Sequence, residues 1–135
     1  MNVYCDRRKL LENIVSLSPR LRALEDEAVR ATPGQGYLMR KKIEAMRADE
    51  ARAEIKQVSS RIEERLSEES DGAARLRVLK DEATEHGDTV AKFAFLVSLE
   101  RFNDFRAAAE KLADENLQAG FKLELTGPWP AYNFT

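Results

Sequence analysis

Apolar residues recur along this chain at two spacings, and the places where the spacing changes divide it into elements. Residues 2–5 read as a short strand. Asp6 then caps a helix whose apolar positions Leu10, Leu11, Ile14, Val15 and Leu17 lie three or four residues apart. Ser18-Pro19 breaks it and starts another, with serine as the cap, proline at the first helical position, and an apolar side made by Leu21, Leu24 and Val29 up to Thr32. Pro33-Gly34-Gln35-Gly36 reads as a turn. From residue 37 to Glu69 the sequence is polar and free of glycine and proline, which predicts one long helix. Met39, Ile43 and Met46 form one stripe on it, and Ile55, Val58, Ile62 and Leu66 form a second of coiled-coil width, with a wetter patch around Asp49-Glu50 between them.

After Ser70-Asp71-Gly72 the period becomes two. Ala74, Leu76 and Val78 alternate with Arg75 and Arg77, as in a half-buried strand. Residues 81–88, with Glu82, Glu85, His86 and Gly87, read as a polar loop longer than a tight hairpin. Residues 89–99 predict a central strand with Ala91, Phe93, Phe95 and Val97 on one face and Lys92, Ala94, Leu96 and Ser98 on the other. Phe102, Phe105, Ala109 and Leu112 define a helix ending near Ala119-Gly120, and Phe121, Leu123 and Leu125 define a last strand. This order predicts an α+β fold of two split strand-helix-strand units, a ferredoxin-like four-stranded antiparallel sheet with a long helix inserted in the first crossover. About thirty residues of helix at 1.5 Å each make roughly 45–50 Å, beyond the width of a small sheet. Part of that helix must project or meet another helix.

Composition narrows the function. A chain of 135 residues with 43% apolar and 34% charged residues and a formal net charge of −2 suits one soluble, weakly acidic domain, residues 1–135. The clusters Arg7-Arg8-Lys9 and Arg40-Lys41-Lys42 are offset by nearby acids, so the footprint that neutralises phosphates is missing and nucleic acid is not an expected partner. The longest mostly apolar run, residues 93–99, is far shorter than a membrane span. Cys5 is the single cysteine, which leaves no internal disulfide and makes a reducing cytoplasm the simplest compartment.

Little in the chain suggests catalysis. One histidine and one cysteine, far apart, do not make a metal site, and no cofactor is expected. His86 beside Glu85 and Asp88 reads as an exposed loop histidine rather than a base, and Cys5 as a small apolar core residue rather than a nucleophile. Pro33-Gly34-Gln35-Gly36 lacks the lysine and hydroxyl of a phosphate loop and follows a helix rather than a strand. The carboxylates are interleaved with lysine and arginine at helical spacing, as on a solvated face. Phe93 and Phe95 share a strand face, where packing is favoured over base stacking because no glycine-flanked aromatic signature accompanies them.

Two features remain as interaction candidates. Ile55, Val58, Ile62 and Leu66 have three candidate seats: their own domain, a partner helix that makes a homo-oligomer, or a neighbouring domain. The end of the chain, residues 125–135, is the other: Pro128 and Pro130 stiffen an extended ribbon carrying Trp129, Tyr132 and Phe134, which either seals its own sheet or reaches a partner.

The ending Leu125-Thr126-Gly127-Pro128-Trp129-Pro130-x-Tyr132-x-Phe134 resembles the end of gas vesicle accessory proteins of the F and L type, usually Gly-Pro-Trp-Pro-Pro-Tyr-Ser-Phe, departing from it at Ala131 and Asn133. Val3-Tyr4-Cys5-Asp6, Ser18-Pro19-x-Leu21, Pro33-Gly34-x-Gly36-Tyr37-Leu38 and Arg40-Lys41-Lys42 resemble the second domain of the same family. The resemblance implies a non-enzymatic, cytoplasmic, gas vesicle-associated protein that binds or chaperones the small hydrophobic shell protein together with other accessory proteins. Family members usually carry another domain ahead of this one, so the chain is expected to be a trimmed or short relative. A small ligand-sensing domain of ferredoxin-like fold is the alternative.

Overall fold

The computed structural model describes residues 1–17, 19–78, 83–84 and 87–127. In chain order these form β1 (Asn2–Cys5), α1 (Arg7–Leu17), α2 (Pro19–Arg30), α3 (Pro33–Glu68), β2 (Gly72–Leu76), β3 (Ala83–Thr84), β4 (Gly87–Leu96), α4 (Phe102–Leu117) and β5 (Phe121–Glu124). The α+β character follows the change of period along the sequence. The strands stand in the order β2-β4-β1-β5, each neighbour antiparallel, with the two-residue β3 beside the start of β4.

Three boundaries differ from expectation. The turn expected at 33–36 is the first turn of α3. Pro33 occupies a helix start, where its missing N–H costs nothing, and Thr32 Oγ1 accepts a hydrogen bond from the Gln35 amide at 3.4 Å. β3 falls within the stretch expected to be loop, too short for a period of two to register. Gly87, at φ 112°, opens β4 where an added Cβ would lie 2.5 Å from the Cys5 carbonyl oxygen, so only glycine fits that close approach of β1.

The core lies between one sheet face and the helices. Val3 and Cys5 of β1, Ala91 and Phe93 of β4 and Phe121 of β5 are buried together with Leu10, Ile14, Leu21, Val58, Ile62, Leu66 and Phe105 from the helices. The 36 residues of α3 make a rod of roughly 54 Å, and it is partnered along its length within the chain. Its first half lies along α2 and α1, where Arg47 Nη2 donates to the Leu11 carbonyl oxygen at 2.5 Å. Its second half lies on β4 and α4. The excess length is thus absorbed by a hairpin of helices that belongs to the same fold.

β2 sits the other way up from a simple reading of its apolar positions. Arg75 pairs with Phe93 across the ladder, and directly opposite residues share a face, so Arg75 lies on the helix side. Arg75 stands over the Phe93 ring, 5.5 Å from its centroid, and reaches Glu63 of α3 at 3.7 Å. Its guanidinium closes the rim of the core at the sheet edge while its stem covers the ring. Ala74 and Leu76 therefore face away from the helices, on the same side as Ala94 and Leu96, and none of these four belongs to the core.

Candidate functional site

The structure places the four apolar candidates of α3. Val58, Ile62 and Leu66 are 1%, 0% and 0% exposed, and Ile55 packs against the same core. Of the three seats open to this stripe, it occupies its own domain. There α3 packs against β4 and α4. Trp129, Tyr132, Phe134 and Pro128 lie outside the described residues, as do His86 and Glu85.

The chemical candidates resolve toward packing. Cys5 is wholly buried, and burial pushes its thiol up to about 11, with Asp6 and Asp88 adding to the rise against the nearby Arg7. A thiol held protonated in this way is a poor nucleophile. Phe93 is 1% exposed, and the Phe95 ring lies 5.2 Å from that of Phe105, so both rings are used inside the core and neither is offered to a base. Among the described residues no three histidine, cysteine or acidic side chains gather where a metal would fit. Arg7 and Asp88 form an ion pair at 2.6 Å with both side chains about half exposed, which pins α1 to the start of β4.

A groove of about 440 Å³ lies among the helices, lined by Glu12 of α1, Glu25, Ala28 and Val29 of α2, and Arg40, Ile43, Glu44 and Arg47 of α3. Its charged lining is mixed in sign. The Nε of Arg47 is buried without a hydrogen-bond partner among the described residues, while its Nη2 holds the Leu11 carbonyl. The guanidinium thus ties α3 to α1 and leaves one donor unanswered.

The distal end of the α2–α3 hairpin is the more telling surface. Val29 is 81% exposed, Leu38 68% and Tyr37 56%, with Lys41 Nζ lying 5.1 Å over the Tyr37 ring. Val29 was expected on the apolar side of α2, but Ala28 takes the buried position, 7% exposed, facing the small Gly36 of α3. Sequence reasoning missed this surface. The signal was present: residues 37 and 38 fall roughly 100–200° around the helix from the Met39, Ile43 and Met46 stripe, so their side chains point off the packed side. About 21 residues of α3 separate Tyr37 from the buried Val58, a rise of roughly 32 Å that holds this end well away from the sheet.

Among the described residues no helix is long and apolar enough to cross a membrane. The family model described as gas vesicle synthesis protein GvpL/GvpF matches residues 1–135. Gas vesicle protein F of Streptomyces sp. (strain CB03234) is 30% identical over 135 residues, covering 96% of this chain and 50% of the relative. The chain therefore spans about half the length of the curated relative it matches. No solved structure matches it.

Proposed function

Since the chain belongs to the GvpL/GvpF family of gas vesicle synthesis proteins, we propose that it serves gas vesicle assembly as a non-enzymatic accessory protein that holds the small hydrophobic shell protein through protein–protein contacts. The observation that carries this reading is the apolar end of the α2–α3 hairpin, where Val29, Tyr37 and Leu38 stand open at the tip of a rigid helical arm. A subunit that will build a gas-facing wall has an apolar surface to shield before assembly, and exposed apolar side chains rimmed by charge are suited to cover it. The strand order β2-β4-β1-β5, with β3 set aside, supports reading the sheet as ferredoxin-like, with α1 to α3 as the first crossover and α4 as the second.

Co-expression with an affinity-tagged shell protein tests the proposal. The unaltered chain is expected to be captured, and Val29→Asp with Leu38→Asp to lose capture while keeping its melting temperature. Failure of the unaltered chain to be captured overturns the shell-binding reading. Capture that survives both substitutions overturns the role of the helical tip.

A further inference from the structure

The sheet face turned away from the helices holds a buried pair that the helix-side core does not explain. Tyr4 is 6% exposed although its neighbours Val3 and Cys5 point under the helices and it lies outside the core cluster. It pairs directly with Thr89, which is 7% exposed and whose Oγ1 is buried without a hydrogen-bond partner among the described residues. Beside them Ala74, Leu76 and Ala94 are half-buried, and Leu96 is 39% exposed. A tyrosine projecting from a middle strand of an uncovered sheet would be far more open than this.

We infer that this face seats the last segment of the same chain, residues 128–135, as an intramolecular latch with Trp129 and Tyr132 over Tyr4 and Thr89. This inference is independent of the shell-binding proposal. The position of the exit supports it: β5 is the edge strand beside β1, and Leu125 and Thr126 lead to Gly127 at φ 107°, a left-handed turn that redirects the chain. Reach supports it as well, because eight extended residues span roughly 26 Å while the three strand spacings from β5 to β2 total roughly 14 Å. The chemistry of the segment fits the face. Pro128 and Pro130 have no N–H to satisfy, aromatic rings match the apolar field of Leu76 and Ala94, and the indole N–H of Trp129 is a donor of the kind that the Thr89 hydroxyl lacks. A ribbon stiffened by two prolines loses little entropy on docking.

Trp129 is the single tryptophan, so its fluorescence in the intact chain reports the latch directly. The expected result is a blue-shifted emission shielded from iodide and unchanged on dilution. Leu76→Arg and Ala94→Arg, each placed on this face and outside the core, are expected to shift the emission to the red and expose it to iodide while circular dichroism keeps the folded signal. Solvent-exposed emission in the unaltered chain overturns the latch, and so does shielded emission that both substitutions leave untouched. A shielded signal that is lost on dilution overturns it in favour of a seat on a second copy.

Discussion

Asp71 and Arg101 lock the end of α3 to the turn before α4. Arg101 Nη1 donates to Asp71 Oδ1 at 3.1 Å and to the Ser70 carbonyl at 3.0 Å, and its Nη2 donates to the Glu68 carbonyl at 2.6 Å. Asp71 Oδ2 accepts the Ser98 amide at 2.8 Å. A cation is thus placed where the carbonyls of α3 run out of helical partners and the dipole is negative. Removing the guanidinium, as in Arg101→Ala, is expected to cost on the order of 1–2 kcal/mol, read from urea unfolding, since these carbonyls are largely left to water.

The same pair sets an acid limit. The Ser98 amide first, and then the Arg101 guanidinium, hold the Asp71 carboxyl below its ordinary value. The folded state binds this proton less readily than the unfolded chain, so the contribution is complete above the ordinary carboxylate value of about 3.9 and is lost as pH falls below it. Melting temperatures measured from pH 5 downward are expected to fall less steeply in Asp71→Asn than in the unaltered chain. Equal slopes would remove Asp71 from the acid response.

The second half of α3 is core. Ile62→Ala is expected to lose roughly 2–5 kcal/mol through the cavity it leaves between α3, α4 and the sheet. Leu38→Ala, on the same helix but 68% exposed, is expected to stay within about 0.5 kcal/mol. Denaturant midpoints compare the two directly, and similar losses would contradict the division of α3 into a packed half and an open tip.

Gly87→Ala places a Cβ against the Cys5 carbonyl in a backbone conformation that suits glycine alone. The expected loss is roughly 1–3 kcal/mol or more, seen as a lower melting temperature with faster amide exchange in β1. An unchanged melting temperature would mean that β1 and β4 part at this point without cost.

Cys5 is expected to resist iodoacetamide at pH 8 in the folded protein and to react once the chain is unfolded. Burial both hides the sulfur and raises the thiol to about 11, so little thiolate is present. The sign follows from the same shift: the folded thiol keeps its proton above the ordinary value of 9.0, so stability declines as pH rises from there toward 11. Rapid labelling of the native chain would show that β1 opens readily.

The sequence by itself determined the elements and much of the core. Spacing of three and four residues marked the four helices, alternation marked β4 and β5, and Phe93, Val58, Ile62 and Leu66 were legible as apolar positions because local periodicity follows from backbone geometry. The last residues also carried the family resemblance that the match across residues 1–135 bears out. Tertiary structure decided which apolar residues were covered. The stripe of α3 is closed by β4 and α4, Val29 yields the buried place to Ala28, whose carbonyl lies against Gly36 of α3, and β2 turns Arg75 toward Phe93 because its register with β4 fixes its faces. Such outcomes depend on contacts between residues far apart in the chain, and a one-residue change of strand register exchanges the faces without altering the local pattern at all.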